Sequence, residues 1–147
     1  MNKYSIVLLL MMFLISSFQA QADSLQYKPS KVVYDVTSDN VHELENILDR
    51  ASMLQNVYGN DPFESSIVLV IHEGAIKYFT RDKTGQTNIE RRAASLAAGD
   101  IIQFRVCRTS AKMQGIYQKD FNNFIQLVHM ADAEIIKLQQ QGFSYLR

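Results

Sequence analysis

The sequence contains a single cysteine, Cys107, at a position that suits nucleophilic chemistry. The β-branched run 101–106 ahead of it predicts a strand, and residues 108–114 after it predict a short helix. Free amide groups at the start of a helix stabilise a thiolate, the reactive form of cysteine. Arg105, Arg108 and Lys112 would add positive charge. Such a thiolate can attack sulfur and carry it as a persulfide. The alternative is a buried, inert cysteine that fills apolar space.

Further polar residues follow the ends of other predicted strands, and the strands alternate with helices. Strands are predicted at 31–36, 66–71, 101–106, 125–128 and 143–146, and helices at 41–57, 88–98, 108–114 and 131–141. This alternation predicts a three-layer α/β/α domain with a parallel sheet of about five strands. Ligands bind outside the carboxyl ends of such strands. The residues leaving those ends are Asp35, His72 with Glu73, Cys107 with Arg108, and His129.

Composition excludes several classes of function. Lys and Arg total 15 against 15 for Asp and Glu, which argues against a nucleic-acid-binding protein. A lone cysteine excludes an internal disulfide and any zinc site built from several cysteines. The glycines are too widely spaced for a phosphate-binding loop, and no HExxH motif is present. We therefore expect no metal and no cofactor.

The first 22 residues are typical of an export signal. Lys3 gives a basic start, residues 6–15 are an unbroken apolar run, and Ala20-Gln21-Ala22 supplies the small residues of a cleavage site. The run is shorter than the ~20 apolar residues that a membrane-spanning helix needs. We expect cleavage after Ala22, no stable membrane insertion, and one domain over residues 23–147 in the periplasm.

Three segments resemble the DsrE/DsrF-like family of small sulfur-relay proteins. The first is the predicted strand 31–36 with its Ser-Asp-Asn turn and amphipathic helix, and the second is 70–75 (VIHEGA). The third and most specific is 104–109 (FRVCRT), followed by a short helix and Gly115-Ile116. The closing run 138–145 (LQQQGFSY) is also similar to single-domain members. The resemblance extends from Lys31 to the last residue.

The resemblance implies a five-stranded parallel sheet and a homo-oligomer, such as a trimer or hexamer. It also implies that Cys107 accepts sulfur and passes it on, with donor and acceptor proteins or small sulfur compounds as partners. To this role we add His72 as a candidate for proton transfer. We expect Arg108, Thr109, Asp35 and Gly74 to form the binding site. Export argues against the tRNA-thiolation role of some relay proteins.

Three hypotheses about function follow. The first is a periplasmic sulfur carrier, or sulfurtransferase-like protein, that holds a persulfide on Cys107. The second is a non-catalytic ligand-binding or oligomeric assembly module in which the cysteine is structural. The third is a hydrolase in which Cys107 pairs with His72 or His129, although no motif supports it.

Overall fold

The computed structural model describes residues 27–59, 61–81 and 88–147. The predicted signal peptide, residues 1–22, lies outside the described residues. The strands are β1 (Lys31–Val36), β2 (Ser66–Ile71), β3 (Ile102–Cys107), β4 (Ile125–Val128) and β5 (Ser144–Leu146). The helices are α1 (Val41–Tyr58), α2 (Ile89–Ala97), α3 (Arg108–Met113) and α4 (Ala131–Gln140), with 3₁₀ helices at Glu73–Phe79 and Gln118–Asp120. The predicted elements are therefore confirmed, with ends that differ by at most one residue.

Local signals explain where the longest helix begins and ends. The Asn40 side chain accepts hydrogen bonds from the amides of His42 (2.9 Å) and Glu43 (3.4 Å), two groups that lack a partner within the helix. At the other end, Gly59 adopts a φ of 82°, which glycine reaches without a side-chain clash. These two residues fix the span of α1 between β1 and β2.

The five strands form one parallel sheet in the order β4-β3-β2-β1-β5. From β1 to β4 the chain moves one strand at a time in the same direction. It then returns across the sheet to place β5 beside β1. Because crossover connections between parallel strands are right-handed, the first three connections lie on one face of the sheet and the last lies on the other. Helices thus cover both faces, as the sequence predicts.

The face that carries α1, here called the α1 face, holds the larger apolar layer. Strand residues that point toward it, including Tyr34, Leu69 and Phe104, are buried against α1, α2 and the first 3₁₀ helix. The Phe104 ring also lies 6.1 Å from Phe79 and 5.7 Å from Phe124, between ring centroids. This layer contains most of the buried apolar side chains and is the larger part of the hydrophobic core.

The opposite, α4 face has a smaller apolar layer. It consists of Val33, Val68, Val70 and Cys107 from the strands, packed against Ala131, Ile135 and Leu138 of α4. Every residue of β2 from Ile67 to Ile71 is buried, which confirms that this central strand is covered on both faces. In the described part of the chain, no helix has both the length and the apolar composition needed to cross a bilayer.

Candidate functional site

Cys107 is the last residue of β3 and also the N-cap of α3. Its Sγ accepts a hydrogen bond from the Ser110 amide at 3.4 Å, so the thiol meets the first turn of the following helix. The sequence predicted this arrangement, with Cys107 between a strand and the free amides at the start of a helix. The side chain is free of any disulfide but only 4% exposed, enclosed by the α4-face layer. Access to the sulfur atom therefore needs a local movement of the residues that cover it.

Asp35 and His72 meet across β1 and β2. The His72 Nε2 atom donates to Asp35 Oδ1 at 2.7 Å, and the two side chains are only 13% and 17% exposed, respectively. The second oxygen of Asp35 accepts from the Tyr145 hydroxyl at 2.8 Å. The carboxylate thus orients the imidazole and assigns the proton to Nε2.

Strand alternation places these groups and the thiol on the same face of the sheet. Side chains on one face recur every second residue, so Asp35 shares the face of Val33, and His72 shares the face of Val70. The β2–β3 register pairs Ile71 with Val106. His72 and Cys107 come directly after this last pair, so both stand at the carboxyl ends of adjacent strands.

Arg105 also lies on this face, two residues before the cysteine. Its guanidinium pairs with the Glu134 carboxylate of α4, and Nη2 donates to Gln103 Oε1 at 2.8 Å. The two ion-pair side chains are only 15% and 10% exposed. Arg105 therefore joins the sheet to α4, and its charge is already neutralised rather than free to support a thiolate.

The turn after His72 is held by α3. Glu73 has a φ of 53°, which is uncommon for a residue with a side chain. Its amide donates to Ser110 Oγ at 2.9 Å, and its carbonyl accepts from Gln114 Nε2 at 2.7 Å. Strained backbone of this kind persists only where its surroundings enforce it, and it clusters at functional sites. The same residue, Ser110, thus contacts both the Cys107 sulfur and the His72 turn.

The remaining predicted site residues have separate positions. The Thr109 hydroxyl donates to the His129 carbonyl at 2.8 Å, which ties α3 to the residues before α4. Arg108 lines a surface groove with Ala111 and other residues of the α1 face. Gly74 has a packing role, since a Cβ atom there would lie 2.7 Å from Asp39 Cβ.

The arrangement that a Cys-His hydrolase needs is not formed in the described structure. The only hydrogen bond that the Cys107 sulfur makes to a described residue is the one from Ser110, so neither His72 nor His129 is bonded to it. The His129 side chain is exposed. Across residues 27–59, 61–81 and 88–147, no group of three or more His, Cys, Asp and Glu side chains is arranged to hold a metal ion.

Two residues of the site, Tyr145 and Ser110, were missed in the sequence reading. Tyr145 reaches Asp35 because β5 pairs with β1, where Val33 faces Tyr145. The hydrogen bond to the Asp35 carboxylate, then desolvation and the Asp35 charge, raises the pKa of Tyr145 above its ordinary value. The contact of Ser110 could have been predicted from its spacing. Ser110 is the third residue after Cys107, and an N-cap side chain commonly accepts a hydrogen bond from the amide at that position.

Sequence comparison identifies the family. The model of the DsrE/DsrF-like family matches residues 31–147, and this chain belongs to that family. The match includes every residue of the site described above. A search of curated proteins finds no match.

Two solved structures share the fold. A protein of unknown function, MTH1491 from Methanobacterium thermoautotrophicum, superposes with a TM-score of 0.70 and 17% identity over 80% of this chain and 98% of that one. The ychN protein from E. coli gives a TM-score of 0.62 and 17% identity over 82% and 98% of the two chains. At this identity the likeness establishes the three-layer fold and its parallel sheet.

Proposed function

We propose that this protein is a periplasmic sulfur carrier that holds sulfur as a persulfide on Cys107. The observation that carries the proposal is the bond from the Ser110 amide to Cys107 Sγ at the end of β3, in a chain of this family. An amide donor at a helix start stabilises negative charge on sulfur. Cys107 is the only thiol in the chain, so a persulfide has a single place to form.

The reaction is a transfer of sulfane sulfur in two displacement steps. The Cys107 thiolate attacks the outer sulfur of a donor persulfide, R–S–SH, and the donor S–S bond breaks. The R–S⁻ fragment leaves with the electron pair, and Cys107 becomes Cys–S–SH. An acceptor thiolate then attacks the outer sulfur and releases the Cys107 thiolate. Neither step needs an external oxidant, because one S–S bond replaces another.

His72 is the proposed proton-transfer residue, and Asp35 is a positioning residue. The imidazole follows the carboxyl end of β2, and Cys107 ends the adjacent strand β3. Removal of the Cys107 proton and protonation of the leaving thiolate both need a group that can accept and donate a proton, and an imidazole ring does both. Asp35 fixes the ring through the 2.7 Å bond to Nε2.

Intact mass spectrometry tests the carrier role. The purified chain is incubated with inorganic polysulfide, and the mass increase of one sulfur atom is expected on the wild type and absent from Cys107→Ser. His72→Gln should keep the adduct at completion but form it more slowly, about 10-fold or more. An equal adduct on Cys107→Ser, or no adduct on the wild type, would refute the proposal.

Burial of the thiol favours a second candidate, a non-catalytic module in which Cys107 is structural. The side chain is 4% exposed and belongs to a continuous apolar cluster with Ala131 and Ile135. Alkylation kinetics with iodoacetamide separate the two. A carrier must expose its sulfur by local opening. Labelling of Cys107 in the native protein should therefore be faster than global unfolding. Labelling only at the rate of global unfolding would favour the structural role.

Export and self-association complete the proposal. The apolar run 6–15 and the Ala20-Gln21-Ala22 segment support cleavage after Ala22 and a periplasmic location. The family resemblance supports a homo-oligomer, a trimer or a hexamer, with sulfur donor and acceptor molecules as partners. N-terminal sequencing of the protein from a periplasmic fraction should begin at Asp23. Light scattering of the same material should give a mass of three or six chains.

A further inference from the structure

A groove of about 470 Å³ lies between α3, the second 3₁₀ helix and β4. Its floor is apolar and consists of Ala111, Ile116 and Leu127, which pack on the α1-face layer. The groove is therefore on the opposite face of the sheet from the Cys107 side chain, which packs against α4. What binds here does not depend on the sulfur chemistry proposed above.

The side chains around this floor carry uncompensated positive charge. Arg108, Lys112 and Lys119 all line the groove, and no Asp or Glu does. Within the described structure, none of these three side chains has an ion pair, a hydrogen bond or a ring contact. By contrast, Arg92 pairs with Asp49 and Arg105 pairs with Glu134. Three like charges around one concave surface create a positive potential that attracts anions.

The neighbouring carboxylate, Asp120, forms no ion pair with these cations. Asp120 lies next to Lys119 in the chain, but its side chain accepts a hydrogen bond from the Tyr117 amide at 2.9 Å and is not part of the groove lining. The Tyr117 side chain, in turn, lines the groove and is 52% exposed. The groove thus presents cations, an apolar floor and an aromatic ring together.

We propose that the groove binds a small organic molecule that carries two or more negative charges and an apolar or aromatic part. The cations would hold the charged groups, since Arg and Lys bind carboxylate, sulfonate or phosphate oxygens. The floor and the Tyr117 ring would bury the apolar part. The volume is within the range of about 300–1,000 Å³ found for small-molecule sites. An acidic protein segment is the competing occupant, which the experiment below distinguishes.

The test uses naphthalene-2,6-disulfonate as the probe, measured by isothermal titration calorimetry on the purified chain. The disulfonate should bind, and the uncharged analogue naphthalene-2-methanol should bind at least about 10-fold more weakly. The double variant Lys112→Gln/Lys119→Gln should weaken disulfonate binding by about 10-fold, because two exposed charge pairs are lost. Both lysines are exposed, so circular dichroism should show an unchanged fold.

Two control variants define the site. Lys28→Gln removes a cation that is equally free of described partners but lies outside the groove, and binding should be unchanged. Cys107→Ser should also bind normally, so failure of the sulfur-carrier proposal leaves this one intact. The proposal is overturned if the Lys112/Lys119 variant binds like the wild type. It is also overturned if an oligoglutamate peptide binds more tightly than the disulfonate, since that result identifies an acidic protein segment as the occupant.

Discussion

The two faces of the sheet differ in chemistry although the same strands build both. On the α1 face, alternate residues of the central strands are aliphatic or aromatic and buried, as Tyr34, Leu69 and Phe104 illustrate. On the α4 face, the same strands contribute Asp35, Arg105 and Cys107 among a few valines. The first face holds the larger apolar core, and the second holds the thiol, the buried ion pair and the Asp35–His72 contact.

Connection handedness explains this difference. Three right-handed connections cover the α1 face, whereas the single return from β4 to β5 places only α4 on the other face. One ten-residue helix cannot shield all five strands, so polar groups near its margins keep partial contact with water. Reactive side chains are compatible with that thinner cover, because fewer packed residues separate them from solvent. The fold therefore separates the residues that stabilise it from those proposed to react.

A matched pair of leucines tests this separation with the largest expected effect. Leu48 of α1 and Leu138 of α4 are 0% and 1% exposed, and each lies in the apolar layer of its own face. Leu48→Ala should lower the free energy of unfolding by about 4 kcal/mol and Leu138→Ala by about 2–3 kcal/mol, because a lone helix can settle into the cavity. Urea denaturation measures both. Equal losses would show that the two layers are equally rigid.

The buried ion pair on the α4 face gives the next largest effect. Glu134→Ala leaves the Arg105 guanidinium largely buried without its partner and should cost about 2–3 kcal/mol. Replacing both residues, as in Arg105→Met with Glu134→Leu, should restore most of that loss, because two apolar side chains need no partner. Chemical denaturation of the single and double variants gives the comparison. A double variant as unstable as Glu134→Ala would contradict this explanation. It would mean that the lost ion pair, and not the unpaired buried charge, causes the loss of stability.

Much of this architecture was predictable from local sequence signals. The apolar residues at spacings of three and four between Val41 and Val57 predict α1, and Asn40 caps it as its residue type suggests. The unbroken apolar run at 67–71 predicts a strand buried on both faces, which β2 confirms. These features depend on residues close together in the chain, so periodicity and capping reveal them.

The contacts within the candidate site were not predictable in the same way. Asp35 and Tyr145 are 110 residues apart and meet because β5 pairs with β1. Strand order is determined by how the helices pack on the sheet, which no local pattern records. The burial of Cys107 has the same origin, since its face is covered by a helix that follows a later strand. The sequence predicted that Asp35, His72 and Cys107 lie at one edge of the sheet, and tertiary packing determined which residues touch there.

Relief of backbone strain near the site should have a smaller effect. Glu73 and Asp100 have φ angles of 53° and 61°, a region that glycine occupies without a side-chain clash. Each change to glycine should therefore raise the free energy of unfolding by about 0.5–1 kcal/mol. Only Glu73 is hydrogen-bonded to Ser110, the residue whose amide contacts the Cys107 sulfur. Glu73→Gly should therefore change the iodoacetamide labelling rate of Cys107, and Asp100→Gly should leave that rate unaltered. Equal labelling rates of Cys107 in the two variants would show that the strained turn does not affect access to the thiol.

An effect of similar size is expected at Tyr145, which anchors the edge strand β5 to Asp35. Tyr145→Phe should lower the free energy of unfolding near neutral pH by about 0.5–1 kcal/mol, the typical value of one hydrogen bond. Because folding raises the pKa of Tyr145, this stabilisation is fully present below the ordinary tyrosine pKa of about 10 and is lost as the pH rises through the folded value. Urea denaturation below and above pH 10 should show the difference between wild type and variant shrinking with pH. Tyr27→Phe, at a side chain 69% exposed, should show no difference at either pH. A Tyr145 difference that persists at high pH would mean that ring packing, rather than the hydroxyl, anchors β5.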